Sequence, residues 1–559
     1  MRDLIRQMSE AWARHKGREP RVDDAHLEAQ AKVAEDIFSS LASASSGRLV
    51  VLMGPTGSGK TEVFSAVYFA QWVRGEWFAG RLFVVEPVHA LLRQMRDRLS
   101  LYGGLFGVAV GEDHGEAASP RFLYSAPVTL TTVDSYAYGY LAKRVDKWPS
   151  GGSVTGRFTM PVGVMAHAVS VFDEAHLVQD EVFLGPRALA RIVCSLVRGG
   201  AHVILSTATL PPAVLREFEA RCGEPEVYKL PGRPRNLSIS RVGKPLEAGD
   251  VECDGATLVV VNTVAKARRV YKEVSQRCNA HIIHSLMRRG EREGALVKVA
   301  NAITRKKNVV LVGTQAVEVG IDLGFNRLYT ELSPLDSLIQ RIGRVGREGE
   351  RAEVVVYAAE RPEPYVKEVV EATEQVLSSS DVAKALNDVD KTAELLGEVY
   401  NDGVVKKLAE RGDAFLADFV DYLERLHLFA TPPERDVQIR PSIYVDIYLA
   451  GEGELGKVES NEAHLREEWR LRLSIPLTKR WERLTPLLQL AKERGCKCGS
   501  VSRGRAVLKE ECNELWGEGV VIVCRDLSGI YDGAGLVVEN LAAREEGGEA
   551  KRGRRRGKR

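Results

Sequence analysis

The stretch LVVLMGPTGSGKTEVFSAVYFAQWV, residues 49–73, decides which fold the chain adopts. It opens with an apolar run typical of a buried parallel strand, and its last part has the pattern of a helix. Between them, GPTGSGKT (54–61) matches the phosphate-loop pattern G-x-x-x-x-G-K-[ST] in full. The order strand, loop and helix predicts an α/β domain that binds a nucleotide phosphate. A glycine-rich turn that matches by chance is the alternative.

The loop residues have distinct predicted roles. Glycines let the backbone curl around phosphate oxygens, and the N-terminus of the following helix supplies amide donors. Lys60 is predicted to reach the β- and γ-phosphates of ATP, and Thr61 is predicted to ligate Mg²⁺. The other residues predicted to contact the nucleotide are Gly54, Thr56, Gly57, Ser58 and Gly59.

A second stretch, VFDEAHLVQDE (171–181), brings two adjacent carboxylates to the end of another apolar run. Such charges repel each other, so a cation, or a reaction that needs a base, would justify the pair. Asp173 is predicted to hold the Mg²⁺, and Glu174 to orient and deprotonate an attacking water. A lone Asp-Glu pair is ordinarily a solvated strand end, but this pair accompanies a matched phosphate loop.

Short apolar runs alternate with helical patterns along the first 360 or so residues, which predicts parallel strands with crossover helices. LPGRPRN (230–236) has the composition of a linker, so two successive α/β units of similar build are expected. After residue 360 the pattern is helical, and from about residue 430 it is mixed. The runs that predict strands are 49–54, 82–87, 128–135, 169–176 and 202–210, then 257–263, 280–285, 308–314, 326–332 and 352–359.

The composition is that of a globular protein, without an apolar run long enough to span a bilayer and without a signal peptide. A cytoplasmic location and no membrane partner are therefore expected. The formal net charge is only +2, so a basic surface for nucleic acid would have to be local. Eight scattered cysteines favour a reducing compartment. For the group Cys496, Cys498, Cys512 and Cys524, buried thiols or a disulfide are expected, with a zinc site as the alternative.

DEAH (173–176) after a phosphate loop resembles the superfamily-2 helicases, and the other motifs of that superfamily occur in order between about residues 28 and 358. STATLPP (206–212) resembles their Ser-Ala-Thr motif, with Thr207 in the place of the serine. GTQAVEVGIDL (313–323) and LIQRIGRVGRE (338–348) are similar to the fifth and sixth motifs. The wording of these motifs, with SGIYDGAGLVVEN (528–540), resembles more narrowly the helicase of type I CRISPR interference.

The resemblance implies an α/β protein with two tandem RecA-like parallel-sheet domains, a helical linker and a small C-terminal α+β domain. The basic tail is expected to be disordered, and it either adds nonspecific affinity for nucleic acid or only keeps the protein in solution. The expected boundaries are an N-terminal arm (1–20), RecA-like ATPase domain 1 (21–235), RecA-like domain 2 (236–362), a helical linker region (363–430), a C-terminal accessory domain (431–543) and the tail (544–559).

The resemblance also assigns roles to single residues. In the sixth motif, Gln340, Arg344 and Arg347 are expected to act in catalysis, the arginines by stabilising charge on the γ-phosphate; an ordinary basic surface helix is the alternative. Gln30 resembles the glutamine that reads adenine, although a glutamine on an amphipathic helix is more often only solvated. Gly320 and Asp322 would line the cleft between the two domains. The residues expected to couple the two domains are His176, Thr207 and Thr209, and those expected to contact the nucleic-acid backbone are Thr132, Thr263 and Thr314.

The function that this resemblance implies is an ATP-dependent DNA helicase of a CRISPR effector, moving 3′ to 5′ along single-stranded DNA. It would work with a guide-RNA surveillance complex and with a separate HD-type nuclease, because the sequence contains no adjacent His-Asp pair and only about 50 residues before the phosphate loop. Two alternatives stay open. One is a superfamily-2 motor for RNA or for DNA repair, and the other is a nucleotide-gated clamp or remodeller that binds nucleic acid without unwinding it.

Overall fold

The computed structural model contains two compact units, each formed by two separate stretches of the chain. Unit 1 comprises Met1–Arg235 and Glu368–Pro441, and unit 2 comprises Asn236–Lys367 and Ser442–Arg559. The structure describes residues 1–17, 19, 23–114, 124–143, 160–232, 235–318, 321, 323–347, 349–430, 432–433, 437–440, 444–452, 454, 469–476, 484–502, 505–509, 512 and 519–541.

The first stretch of unit 1 forms a seven-stranded sheet in which every pair of neighbouring strands is parallel. Its strands are β1 (Leu49–Met53), β2 (Arg81–Glu86), β3 (Val110–Glu112), β4 (Val128–Thr132), β5 (Ala168–Phe172), β6 (His202–Thr207) and β7 (Glu226–Lys229), in the order β3-β4-β2-β5-β6-β1-β7. Its helices are α1 (Arg2–His15), α2 (Asp24–Ser43), α3 (Lys60–Arg74), α4 (His89–Phe106), α5 (Val133–Tyr140), α6 (Met160–Ala166), α7 (Leu184–Arg198) and α8 (Pro212–Cys222).

One face of this sheet packs against helices α1 to α4. Side chains alternate between the two faces of a strand, so every second residue of a strand points to the same face. The residues on the helix-covered face include Val50 and Leu52 of β1, Leu82 and Val84 of β2, Val128 and Leu130 of β4, Val169 and Val171 of β5, and Ile204 of β6. They share one core with Val63, Phe64 and Val67 of α3, and this fixes the phosphate-loop helix on that face.

The first stretch of unit 2 forms a six-stranded parallel sheet in the order β10-β11-β9-β12-β13-β8. Its strands are β8 (Asn236–Pro245), β9 (Ala256–Val260), β10 (Ala280–Ile283), β11 (Val309–Gly313), β12 (Arg327–Glu331) and β13 (Arg351–Ala358). Its helices are α9 (Val264–Val274), α10 (Arg289–Thr304) and α11 (Leu335–Ile342).

Four helices follow, and the longest of them packs against the first sheet domain within unit 1. Arg187 of α7 donates to the Asp413 carboxylate at 2.7 Å and to the Ala409 carbonyl at 2.9 Å. A Cβ on Gly412 would lie 2.3 Å from the Val182 carbonyl oxygen, so the close approach requires glycine there. The four helices are α12 (Lys367–Ser379), α13 (Val382–Ala385), α14 (Val389–Val399) and α15 (Asp402–Phe429).

The C-terminal part of unit 2 has a five-stranded sheet of mixed direction, in the order β15-β14-β18-β16-β17, and a two-stranded β19-β20 ribbon. Its elements are β14 (Tyr444–Gly451), β15 (Arg472–Pro476), α16 (Leu484–Glu493), β16 (Lys497–Ser502), β17 (Arg505–Lys509), β18 (Gly519–Cys524), β19 (Tyr531–Asp532) and β20 (Gly535–Leu536). No helix in the described ranges is long and apolar enough to cross a membrane.

These elements confirm the predicted fold class, with two RecA-like parallel sheets and a C-terminal domain with a mixed sheet. All ten apolar runs contain a strand. In the two parallel sheets, strands β3, β7 and β8 were not predicted, and the predicted linker 230–236 lies between the end of β7 and the first residue of β8. The predicted tail 544–559 lies outside the described residues.

The cysteines require a correction. All eight form disulfides, although their scattered positions in the sequence had favoured a reducing compartment. In the C-terminal group, the expected disulfides form, and cysteines paired in this way do not bind zinc. The pairs are Cys194–Cys222, Cys253–Cys278, Cys496–Cys524 and Cys498–Cys512.

Candidate functional site

The phosphate loop joins the end of β1 to the start of α3. Gly57 and Gly59 have φ angles of +86° and +83°, a left-handed conformation that favours glycine. The Lys60 ammonium donates to the carbonyl of Gly54 at 2.8 Å, so the lysine folds back over the loop. Lys60 and Thr61 form the first turn of α3, where backbone N–H groups are free to bind an anion.

Helix α2 packs against this loop from the side. The Gln30 amide donates to the Ser58 carbonyl at 2.8 Å, and the His26 ring nitrogen Nε2 lies 3.1 Å from the same oxygen. A Cβ on Gly59 would lie 2.0 Å from Gln30 Nε2, so the glycine also makes room for the glutamine. Gln30 is thus buried against the loop rather than solvated, and His26 is a neighbour that the sequence reading missed.

The acid pair follows β5, which is separated by a single strand, β6, from the strand β1 that leads into the phosphate loop. The Ser206 hydroxyl of β6 donates to Asp173 at 2.7 Å, which orients this carboxylate. Burial and the charge of Glu174 raise the pKa of Asp173, whereas Lys60 and the Ser206 hydroxyl oppose the rise. Ser206 is the first residue of STATLPP, but no contact with Asp173 was predicted for it, because the sequence does not show that β5 and β6 are neighbours.

Glu174 has a φ of +48°, which is uncommon for a residue with a side chain. This conformation ends the strand and begins a short 3₁₀ helix, Ala175–Val178. The Glu174 side chain is 23% exposed, while that of His176 is 1% exposed. The two neighbouring acids therefore differ in exposure: Asp173 is buried and Glu174 is partly accessible to water. Backbone strain of this kind clusters at functional sites.

His176 connects the acid pair to the end of β6. Its ring nitrogen Nδ1 lies 3.0 Å from the Thr207 hydroxyl, which in turn donates to the Thr209 carbonyl at 2.6 Å. The Thr209 backbone N–H returns a hydrogen bond to the Thr207 hydroxyl at 3.2 Å. Three residues from two distant motifs thus form one buried hydrogen-bonded cluster.

The residues of this edge fit a hard divalent cation such as Mg²⁺, whose ligands are carboxylate, hydroxyl and phosphate oxygens. Asp173 and Thr61 supply a carboxylate and a hydroxyl in buried positions. Glu86 at the end of β2 adds a buried carboxylate with both oxygens unpartnered among the described residues. An uncompensated buried carboxylate beside another acid is a costly arrangement that a bound cation relieves.

The three threonines predicted to contact nucleic acid lie at the ends of parallel strands or shortly after them. Thr132 is the last residue of β4. Its hydroxyl accepts a hydrogen bond from the Ser135 N–H, so Thr132 caps the N-terminus of α5. Thr263 follows β9 and accepts the N–H of Lys266 at 3.3 Å, which caps α9. Thr314 follows β11 and precedes a short 3₁₀ helix. The capping contacts give Thr132 and Thr263 a structural role, whatever else they bind.

In the sixth motif, Gln340 is buried in α11, and Arg344 and Arg347 follow that helix. Arg344 donates to the carbonyls of Glu318 and Ile321, and Arg347 donates to the Gly343 carbonyl at 2.9 Å. The remaining two residues predicted to line the nucleotide site, Gly320 and Asp322, lie outside the described residues.

Arg341, which the sequence reading did not single out, is the centre of this region. Its side chain is fully buried and bonds to the Glu318 carboxylate at 2.8 Å and to the Tyr365 hydroxyl at 2.7 Å. It also donates to Thr330 at 2.8 Å and to Asn262 at 3.2 Å. One guanidinium thus connects α11 to four other segments of unit 2, which holds the fifth and sixth motifs in place.

Comparison with known proteins gives two family matches. The profile for "DEAD/DEAH box helicase" matches residues 29–218, and the profile for "CRISPR-associated nuclease/helicase Cas3, C-terminal" matches residues 253–350. The first match contains the phosphate loop and the acid pair, and the second contains Arg341 and the sixth motif.

Individual relatives agree with the family matches. A "CRISPR-associated helicase Cas3" of Thermoproteus tenax is 42% identical over 100% of this chain and 99% of its own length. A "CRISPR-associated nuclease/helicase Cas3" of Methanothermobacter thermautotrophicus is 23% identical over 64% of this chain, which spans only 46% of that longer protein.

Solved structures show the same fold. The T. fusca Cas3-ATP crystal structure superposes with a TM-score of 0.61 at 17% identity, covering 80% of this chain and 64% of that one. A chain of a "CRISPR RNA-guided surveillance complex, pre-nicking" superposes with a TM-score of 0.52 at 19% identity, covering 80% of this chain and 62% of that one. Because the Thermoproteus relative matches from end to end, this chain belongs to the family of CRISPR-associated Cas3 helicases.

Proposed function

We propose that this protein is an ATP-driven translocase that unwinds target DNA in CRISPR interference, moving 3′ to 5′ along single-stranded DNA. The observation that carries the proposal is the assembly, at one edge of the first sheet, of the phosphate loop, Asp173 and the His176–Thr207 contact. Thr132 is the candidate contact for nucleic acid in the same sheet. It ends β4, two strands away from β5, the strand that precedes Asp173. Nucleotide chemistry and strand binding would therefore share one rigid support.

In this proposal the loop residues and Lys60 bind the phosphates of ATP, and Gln30 recognises the base. Thr61 and Asp173 would hold Mg²⁺, which when bound offsets negative charge on the β- and γ-phosphates. Glu174, partly exposed, is placed to orient the attacking water and take its proton. The proposed transition-state residues are Gln340, Arg344 and Arg347, and the proposed nucleotide contacts in the fifth motif are Gly320 and Asp322.

The proposed track, which is the row of groups that binds single-stranded DNA, contains few charged side chains. Hydroxyl and amide groups at Thr132, Thr263 and Thr314 would hold successive phosphates without reading the bases. ATP binding and hydrolysis would then change the grip of the domains on the strand in turn. Such a track agrees with a formal net charge of only +2.

The proposed partners are a guide-RNA surveillance complex, which would supply the loading site, and a separate HD-type nuclease. The relative that matches this chain from end to end is named a helicase, whereas the longer Methanothermobacter relative is named a nuclease/helicase. By this proposal the purified chain leaves labelled single-stranded DNA intact, and degradation requires the added nuclease. The six domain boundaries and the cytoplasmic location stay predictions from the sequence.

An unwinding assay with matched overhangs tests the motor. A duplex with a 3′ single-stranded overhang should be unwound with ATP and Mg²⁺, and one with a 5′ overhang should not. The variant Lys60→Ala should unwind neither. Equal unwinding of both substrates would contradict the polarity. ATP turnover stimulated by DNA without any unwinding would favour the clamp, and stronger stimulation by RNA would favour the RNA motor.

A further inference from the structure

Glu86 lies in the middle of the row of strand ends that carries the nucleotide site in the first sheet. It is the last residue of β2, which lies between β5, the strand before Asp173, and β4, the strand that ends at Thr132. The Asp173 backbone N–H donates to the Val85 carbonyl at 3.1 Å, so the two acidic segments are direct neighbours in the sheet.

The side chain of Glu86 points to the face that carries the phosphate-loop helix. Leu82 and Val84 of the same strand pack in the core with α3, and alternation places Glu86 on that face as well. The same alternation along β5 and the residue after it places Asp173 on this face too, in line with Val169 and Val171. Glu86 and Asp173 therefore approach the start of α3 from adjacent strands.

Among the described residues, Glu86 has no salt-bridge partner. The residue is 0% exposed, and neither carboxylate oxygen has a hydrogen-bond partner among the described residues. Burial, followed by the charges of Asp173 and Glu174, raises the pKa of Glu86 well above its usual value. The other buried acids in the described sheets have partners: Asp173 has Ser206, and Glu331 has Lys266.

We propose that Glu86 is a third carboxylate of the Mg²⁺–nucleotide site, where it accepts hydrogen bonds from metal-bound water beside Asp173. This inference rests on the proposed function, because it requires a metal–nucleotide complex at the phosphate loop. Mg²⁺ keeps several water ligands when it binds to proteins, and these waters need acceptors. Two unpartnered carboxylate oxygens, buried on the face of the sheet that α3 covers, supply such acceptors. Residues that hold metal ligands or metal-bound water in this way typically contribute about 10–100-fold to metal affinity.

The decisive variant is Glu86→Gln, which keeps the shape of the side chain but removes its charge. With ADP bound, the full-length variant should bind Mn²⁺, followed by electron paramagnetic resonance, about tenfold more weakly than the wild type. Its affinity for ADP in EDTA should be unchanged, because Glu86 acts on the metal and not on the nucleotide. Glu226→Gln, a change on β7 of the same sheet, is the matched control and should bind Mn²⁺ as the wild type does.

An unchanged Mn²⁺ affinity in folded Glu86→Gln would overturn the inference and make Glu86 a buried, neutral structural group. If Glu86→Gln does not fold, Glu86→Asp takes its place. It keeps the charge but withdraws the oxygens, so it too should bind Mn²⁺ more weakly, and wild-type affinity would again overturn the inference. The readout needs no turnover, so a protein that binds Mn²⁺–ADP through Glu86 but unwinds nothing would refute the proposed function alone.

Discussion

At the scale of the residue, Glu174 separates chemistry from binding. Its backbone is left-handed and its side chain is partly exposed, whereas Asp173 is buried, so the two acids differ in exposure and in their proposed roles. Glu174→Gln should leave ATP affinity within about twofold of the wild type, while turnover falls by about 10²–10⁴-fold. Equilibrium binding of a fluorescent ATP analogue and steady-state ATP hydrolysis measure the two quantities independently.

Lys60→Ala is the matched contrast to this variant. It removes a cation from the phosphates in the ground state as well as in the transition state, so both ATP affinity and turnover should fall. If Glu174→Gln lost affinity and turnover in equal measure, Glu174 would be a binding group and its proposed role as a base would be wrong.

Residues of this site differ in how far the sequence predicts them. Lys60 and Asp173 belong to short sequence motifs in which phosphate and metal binding fix the spacing of the residues, so these motifs can be recognised in the sequence alone. Arg341 and Glu86 have no local pattern. Their importance comes from neighbours that folding brings together: Arg341 is fully buried against groups 10 to 79 residues away, and Glu86 lies beside an acid 87 positions later in the sequence. Only the three-dimensional structure shows such residues.

At the scale of the element, the strands show the same limit. The ten predicted runs are strands whose residues are mostly buried, and an apolar run is the expected signal. Strand β8 is the edge strand of its sheet, and most of its residues are exposed or half-buried, so polar residues replace the apolar run. Strand β7 is likewise at an edge and alternates between half-buried and exposed residues. Edge strands therefore escape a reading that depends on continuous hydrophobicity.

The ribbon β19-β20, residues 531–536, is held against the second sheet domain by buried polar contacts. Arg268 of α9 is fully buried and donates to both oxygens of Asp532, at 2.9 and 2.8 Å. The His284 ring nitrogen Nε2 lies 2.7 Å from the Ala534 carbonyl, so it carries the proton and donates. This ribbon is part of SGIYDGAGLVVEN, and its contacts give Asp532 and Ala534 of that segment a structural role.

The His284 contact predicts a dependence of stability on pH. Burial lowers the pKa of His284 to about 4, from an ordinary value of 6.5. The folded state therefore holds fewer protons than the unfolded state between these values, and stability falls as the pH drops from 6.5 towards 4. At pH 5 the loss from this residue is about 2 kcal/mol.

The variant His284→Gln keeps a donor for Ala534 but cannot be protonated. Its thermal unfolding midpoint should therefore decrease less between pH 7 and pH 5 than that of the wild type. His15→Gln, an exposed change on α1, is the control and should decrease as the wild type does. A wild-type decrease in His284→Gln would show that His284 does not titrate in this range.

The disulfides make a second prediction at this scale. Cys496–Cys524 joins the residue before β16 to the last residue of β18 and closes a loop with a sequence separation of 28 residues. Removing it in Cys496→Ala/Cys524→Ala should lower the free energy of unfolding by about 3–4 kcal/mol. Thiol titration of the denatured, unreduced wild type should detect no free thiols. The same titration of the double variant after reduction should detect six. Eight free thiols in the unreduced wild type would contradict the pairing.

At the scale of the whole molecule, charge is unevenly distributed along the sequence. Residues 544–559 contain eight Lys or Arg residues and three Glu residues, so this segment has a formal charge of +5. The whole chain has +2, which leaves −3 for residues 1–543. Apart from local patches, the body of the protein therefore repels a polyanion at long range, although its proposed track binds phosphates at short range.

This distribution predicts that residues 544–559 supply most of the salt-sensitive affinity for single-stranded DNA. Each phosphate neutralised on a single strand contributes about 0.7 to the slope of log K against log salt. Deleting the segment should therefore reduce the slope by about 2–4 and weaken binding most at low salt, as measured by fluorescence anisotropy. ATP turnover at saturating DNA should be unchanged, because the catalytic residues are all upstream. If the deletion left the slope unchanged but lowered the solubility of the protein, the segment would serve only to keep the chain in solution, and the DNA affinity would have to come from local groups such as those around Thr132.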